Sequence, residues 1–422
     1  MKIKTINPQE RKIVLGNFVS LTTLQGISYI LPLIILPYLI RVIGLEHFGL
    51  IAFAQALAQY FMILTDYGFS LSATRKISLY REEKEKVCAI FSSVMTVKLI
   101  LALLSFLILL ALVNFIPKFK NDWLVYVFSF GAVIGNTLFP TWYFQGTEKM
   151  KYIFAINIIG GIIYIFSIFA FVKTPEDYLS VPLINSFFFL TTGVLGLYTV
   201  FRKFKVGFIR QTYGDIRQEL KAGWDIFISI VAINAYTTSR VFAVGLLTNN
   251  TLTGYYSIGE RIANVAQTFP LDSFSQAIYP RLTKIFSRNK KRALMIMRKI
   301  QNSTTSTYSI VLPLIFLTTP WITRILCGAA YPEVTVTMRL LLLSVFFVNA
   351  NAFKVQFLLV GGRSDIYSKL HVIAALVGLP LIFLLINYFS YLGAALSTVV
   401  IEAGIFLVTF QIINSLYKKL ED

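Results

Sequence analysis

Apolar runs of about twenty residues or more, nearly free of charge, recur from Gly16 to the C-terminus and leave this chain few folds to choose from. A helix of roughly 20 residues spans the hydrocarbon layer. In lipid each backbone N–H and C=O must be satisfied within the protein, which selects helices for runs of this length. Twelve such runs are read: 17–40, 48–73, 87–116, 122–144, 152–172 and 178–201, then 220–247, 252–279, 301–327, 338–361, 367–387 and 391–416. Composition agrees. Charged residues are 14% of 422 and apolar residues 56%, where a soluble domain carries about 25% charge. The expectation is an all-α polytopic membrane protein with twelve transmembrane helices in two pseudo-symmetric six-helix lobes around a central cavity. The lobes are expected at 1–201 and 220–422, joined by a cytoplasmic linker at 202–219.

The net charge of +19 is not that of a nucleic-acid binder, because the basic residues sit in short segments on alternate sides of the apolar runs. Twenty-nine lysines and arginines fall on one side and six (Arg41, Lys118, Lys120, Lys173, Arg324, Arg339) on the other. By the positive-inside rule the rich side is cytoplasmic, and with it both termini. Met1 to Gly16 reads as a retained cytoplasmic segment, not a cleaved signal. The outward loops are too short for an extracytoplasmic catalytic domain. The basic stretch 280–300 is partly amphipathic and suits the inner leaflet. Two separated cysteines (Cys88, Cys327) and two separated histidines (His47, His371) give no disulfide and no metal cluster. No cofactor is expected, and no phosphate-binding GxxxxGK[ST] loop is present.

A polar pattern repeats within the apolar sequence. Gly49, Gln55, Gln59, Asp66 and Arg75 are matched by Gly254, Glu260, Asn264, Asp272 and Arg281, at an offset of 205 residues that becomes 206 near Pro270. Such internal repeats mark transporters with two similar halves facing a polar cavity.

Several motifs resemble the opening of Wzx-type O-antigen and polysaccharide flippases, in the multidrug/oligosaccharidyl-lipid/polysaccharide exporter superfamily. They are Pro32 and Pro37; Arg41 to Gly44; Phe48 to Ala52; Asp66 to Phe69 with the trailing Arg75 and Lys76; and Trp142 to Gly146 followed by Glu148, Lys149 and Met150. Leu358 to Gly362 is a weaker echo in the second half. The resemblance implies transfer of an undecaprenyl-pyrophosphate-linked oligosaccharide from the inner to the outer leaflet of the bacterial inner membrane, by alternating access, with an ion gradient as drive. It also implies a polysaccharide polymerase and a chain-length regulator as partners. A peptidoglycan-precursor flippase of the superfamily would carry two further C-terminal helices.

Charges inside a bilayer are costly and usually face a cavity or a partner. Ser257, Glu260, Arg261, Asn264, Gln267, Thr268, Asp272 and Ser275 recur at three- and four-residue steps and read as one cavity-lining stripe, with Gln55, Gln59, Asp66 and Ser70 as a thinner counterpart. Arg240 and Glu260 fall at similar depth and are expected to pair, leaving Arg261 for pyrophosphate; a closed structural pair is the alternative. Lys98 and Lys354 either contact the cavity or snorkel to the interface. Arg41 is a boundary anchor or part of the outer mouth. Asp66 with Arg75 and Asp272 with Arg281 read as inner gate pairs, or as helix-end caps. Glu402, with no basic residue within one turn, is a candidate proton carrier or a hydrogen-bonded neutral acid. Tyr29, Tyr60, Trp142, Tyr236 and Tyr256 are candidates for stacking on sugars. Pro32, Pro37, Pro140, Pro182, Pro270 and Pro313 allow bends, although the seventh run has none. Three other functions compete: a membrane glycosyltransferase or polymerase, a multidrug/cation antiporter, and a scaffold for polysaccharide assembly. The first lacks a catalytic loop, and the second wants an acidic interior that the near-neutral intramembrane charge does not supply.

Overall fold

The structure is a computed structural model. It describes the backbone of residues 8–268 and 285–421, with Leu271, Ile278, Leu282 and Thr283 between them. Side chains are described from Ile34 onward, apart from Ser364 and those after Ser415. Among the described residues all regular structure is helical. The α-helices are α1 (Pro8–Asp66), α2 (Phe69–Tyr80), α3 (Lys84–Phe115), α4 (Pro117–Lys120), α5 (Trp123–Leu138), α6 (Thr141–Gly146), α7 (Met150–Phe171) and α8 (Ser180–Tyr198), the short α4 and α6 joining their neighbours. Then follow α9 (Tyr213–Thr237), α10 (Ser239–Leu247), α11 (Asn250–Thr268), α12 (Lys290–Cys327), α13 (Pro332–Val360), α14 (Ser364–Phe389) and α15 (Tyr391–Glu421). The chain is a multi-pass membrane protein: among the described residues nine helices are long and apolar enough to cross a membrane, and ten if the bent pair α9–α10 is one span.

Two helix breaks differ in cause from the proline bends expected. In α1 the helix is interrupted at Gly44 (φ 76°, ψ 170°), a conformation open to glycine and strained for any side chain. Between α9 and α10 the axis turns by 53° at Thr238 without a proline. Polar side chains bond to each other and to backbone carbonyls there. Thr238 Oγ1 donates to Asn234 Oδ1 at 2.9 Å, and Arg240 Nε donates to Thr237 O at 3.0 Å. Asn234 Nδ2 and Thr237 Oγ1 donate to carbonyls one turn back, at 2.8 and 2.9 Å. Side chains inserted into the backbone ladder are an established cause of kinks.

The chain forms two compact units. One comprises Val42–Gly254; the other combines Met1–Arg41 with Tyr255–Asp422. This division does not fall at the expected linker, and the reason lies in the bonds around it. Residues 205–212 run without helix along α3: Gly207 N donates to Cys88 Sγ at 3.2 Å, and Ile209 N donates to Ser92 Oγ at 2.9 Å. Ser93 Oγ donates to Gln211 Oε1. Helix α9 then begins at a reciprocal capping box between Thr212 and Asp215, earlier than the apolar run. It is tied to α2 by Lys76 Nζ and Glu219 Oε1 at 2.8 Å.

Within the Val42–Gly254 unit, α5 and α8 pack at backbone distance. Gly131 and Gly135 are four residues apart, and a Cβ added at Gly131 would meet Ser186 Cβ at 2.6 Å. Gly193 lies against the Gly135 carbonyl oxygen in the same way, at 2.5 Å. Small residues at this spacing let membrane helices close on each other. An apolar cluster (Phe69, Ile77, Phe91, Trp142, Phe144, Val200) holds α2, α3 and α6 together. In the other unit Gln301 clamps α12 to α13: its Nε2 donates to Asn349 O at 2.9 Å and its Oε1 accepts from Phe353 N at 3.1 Å.

Candidate functional site

The expected polar constellation divides between the two units. In the Val42–Gly254 unit its centre is an ion pair at the C-terminal end of α1. Lys98 Nζ lies 3.5 Å from Asp66 Oδ1, with the Lys98 side chain 2% exposed and Asp66 30% exposed. Snorkelling of Lys98 is therefore overturned, because the ammonium is enclosed by protein. The gate pair of Asp66 with Arg75 is replaced by this one: Arg75 is exposed on α2 and lines a groove with Lys76, Asp215 and Glu219. Sequence distance hid the pairing, since Lys98 stands 32 positions beyond Asp66, and the chain passes through α2 and the turn at residues 81–83 before α3 comes back beside it. Gln55 is half-buried and Gln59 exposed, consistent with a polar face that thins along α1.

Just after the Gly44 break in α1, and near the start of α11, two repeat-related glycines touch. A Cβ on Gly49 would fall on the Asn250 carbonyl and within 2.6 Å of Gly254 N; one on Gly254 would lie 2.6 Å from Leu45 O. Helix α10 packs beside them, with Phe242 and Phe53 rings 5.3 Å apart and the Tyr60 hydroxyl donating to Ser239 Oγ at 2.5 Å. Lys118, in the connection between α3 and α5, donates to Thr248 O at 2.7 Å. Burial pushes its ammonium below the usual lysine range, and Asp122 offsets part of that shift. Arg240, half-buried, lies in this unit at the α9–α10 break.

In the second unit, α11 carries buried Ser257, half-buried Glu260 and Arg261, and exposed Asn264. Tyr256 is fully buried and donates to Glu260 Oε1 at 3.1 Å, so its ring is packed and its hydroxyl orients the carboxylate. Trp142 and Tyr236 are 1% and 3% exposed, which removes both rings from sugar stacking in this conformation; Tyr60 is partly exposed, and the Tyr29 side chain lies outside the described residues. Asp272 and Arg281 also lie outside them. Glu402 is half-buried midway along α15. Lys354 faces the rings of Phe406 and Phe410, with centroids 4.4 and 5.0 Å away.

Arg41 has a structural duty that the sequence left open. Its Nη2 donates to Ile325 O at 2.6 Å, in the last turn of α12, just before Gly328 at φ 76°. A cation on a terminal carbonyl is a common helix C-cap. Replacing Arg41 by Gln is expected to cost about 0.3–1 kcal/mol, the scale of such contacts. Thermal unfolding of the purified protein in detergent checks this; a drop several times larger would show that Arg41 does more than cap.

The model of the polysaccharide biosynthesis protein family matches residues 14–286. The chain belongs to that family. One family relative, a candidate O-antigen transporter of Escherichia coli K12, is 30% identical over 388 residues, covering 92% of this chain and 93% of its own. Another of the same description, from Shigella dysenteriae, is 25% identical, covering 94% and 99%. Among solved structures, an inward-facing multidrug-resistance MATE transporter of the MOP superfamily superposes with a TM-score of 0.74 at 14% identity, covering 92% of this chain and 96% of its own. The lipid II flippase MurJ, inward closed, gives 0.67 at 16% identity, covering 94% and 87%. At such identities these two matches show the shared fold.

Proposed function

We propose that this family member is a flippase that carries a lipid-linked oligosaccharide, with undecaprenyl pyrophosphate as the carrier, from the inner to the outer leaflet of the bacterial inner membrane. Near full-length similarity to two relatives named as O-antigen transporters carries the reading. The polar repeat supports it. Two repeat-related lobes, 1–201 and 220–422, would line a cavity with Gln55, Gln59, Glu260, Arg261 and Asn264. Arg240 and Arg261 supply the positive charge of the cargo path, and Arg261 meets the pyrophosphate, because a guanidinium fork donates two hydrogen bonds to phosphate oxygens. Both termini are cytoplasmic on the charge bias. Glu402 carries the coupling proton, and a polymerase and chain-length regulator receive the product.

The expected result is that Arg261→Glu abolishes surface polysaccharide in a flippase-deficient strain while the protein level in the membrane stays normal. Arg240→Glu should do the same. Loss of the folded protein in both would instead assign the arginines to a structural pair. Full polysaccharide with Arg261→Glu would remove that residue from the cargo path.

A further inference from the structure

The second unit holds a groove of about 570 Å³ that the transport reading does not use. Helices α12, α13 and α15 form it, and Arg298, Asn302, Ser306, Lys354, Phe406 and Asn414 are on its lining. A pocket of this size takes small polar ligands. Its chemistry is one-sided: among the described residues two cations line it and no carboxylate does. Glu402, one turn from Phe406 on α15, is not on the lining.

Lys354 is the unusual member. An ammonium carries three N–H donors, yet its contacts among the described residues are the faces of Phe406 and Phe410. Ring faces lower the cost of the charge but accept no ordinary hydrogen bond. Asn302, Ser306 and Asn414 likewise make no hydrogen bond through their side chains among the described residues, and Asn302, Ser306 and Asn414 are all exposed. Asn302 and Ser306 belong to the polar run Gln301–Thr307, which opens a membrane-length apolar helix. The threonines at 304 and 307 bond to carbonyls one turn back, and Gln301 clamps α13. The amide at 302 and the hydroxyl at 306 have no such employment.

Depth points to the occupant. Arg298 is eight residues from the start of α12, Lys354 six from the end of α13 and Asn414 seven from the end of α15. At ~1.5 Å per residue these three residues lie roughly 9–12 Å from the ends of their helices, and the groove runs on along α12 to Asn302 and Ser306, roughly 18–24 Å from its start. Those ends are the basic ones, bearing Lys290, Lys291, Arg292, Arg363, Lys418 and Lys419. On the positive-inside rule this is the level of the inner-leaflet headgroups.

We propose that this groove binds the phosphate headgroup of an anionic phospholipid, with Lys354 contacting the phosphate and Asn302, Ser306 and Asn414 bonding the headgroup oxygens. This assigns Lys354 to the membrane interface in place of the cargo cavity, and it does not rest on the transport reading. The test is native mass spectrometry of the full-length protein released from nanodiscs of equimolar phosphatidylcholine and phosphatidylglycerol. Wild type should retain phosphatidylglycerol selectively. Lys354→Gln should weaken that retention about tenfold, the lower end of what a charge-assisted hydrogen bond contributes, and Lys354→Arg should keep most of it. Unchanged retention in Lys354→Gln overturns the proposal. Displacement of the lipid by inorganic phosphate would make this a free-anion site, and displacement by undecaprenyl pyrophosphate would make it part of the cargo path; either overturns it. If Lys354→Gln yields no folded protein, Asn302→Leu with Ser306→Leu blocks the groove from its exposed wall and leaves the charge in place. That variant should lose the lipid equally, and full retention by it also overturns the assignment.

Discussion

Asp66→Asn should leave the protein far less stable or prevent it from accumulating, the largest stability loss expected of any single conservative change outside the packed glycines. The substitution removes the carboxylate 3.5 Å from an ammonium whose side chain is 2% exposed. Breaking one partner of a buried pair costs about 3–5 kcal/mol, since the other charge stays enclosed without compensation. Replacing both partners at once is different. Lys98→Met with Asp66→Asn removes both charges while keeping similar volumes, and such swaps are often neutral. The double variant should therefore recover most of the stability lost by Asp66→Asn alone. Thermal unfolding in one detergent, for wild type, both single variants and the double, makes the cycle. A double variant no more stable than Asp66→Asn would show that the two side chains are not coupled. If the double variant folds well but no longer supports surface polysaccharide, the pair serves transport as well as folding.

Gly49→Ala is the second change with a large expected effect. The added methyl would fall on the Asn250 carbonyl and near Gly254 N, which are backbone atoms with no rotamer to move aside. The helix ends must separate instead. Overpacking in a tight contact costs about 1–3 kcal/mol. Gly254→Ala addresses the same contact from the other side, with Leu45 O 2.6 Å from the new Cβ. Because one separation relieves both clashes, the double variant should lose much less than the two single losses added together. Additive losses would mean that the two glycines act in different contacts. A change in conformational preference is also expected. Opening this contact should raise the rate at which a water-soluble thiol reagent labels Cys introduced at Thr248, on the adjoining helix end, and an unchanged rate would mean the ends stay packed.

Much of the fold was legible because lipid is an undemanding solvent to read. A charge-free run of twenty residues can satisfy its backbone only as a helix, so the spans follow from local sequence. The repeat was legible for a related reason: polar residues in such helices are scarce enough to align by eye. Gly131 and Gly135, four apart, are a readable signal for the α5–α8 contact. Other features left no local trace. The bend after Thr237 has no proline, and its cause is a cluster of Asn, Thr, Ser and Arg side chains whose bonds to the backbone depend on rotamers. Arg41 capping Ile325 joins residues 284 apart, a distance no pattern in either segment announces.

Residue type and spacing alone determined that this is a helical membrane protein, where its apolar helices run, and which scarce polar residues stand within them. Hydrophobicity and backbone hydrogen bonding are local requirements, so a linear chain displays them. Which charges neutralise each other was decided only in three dimensions. Asp66 meets Lys98 instead of Arg75, and residues 205–212, within the expected linker, lie along α3. Side-chain pairing depends on which helices become neighbours and how they are rotated, and that is the outcome of packing the whole chain at once.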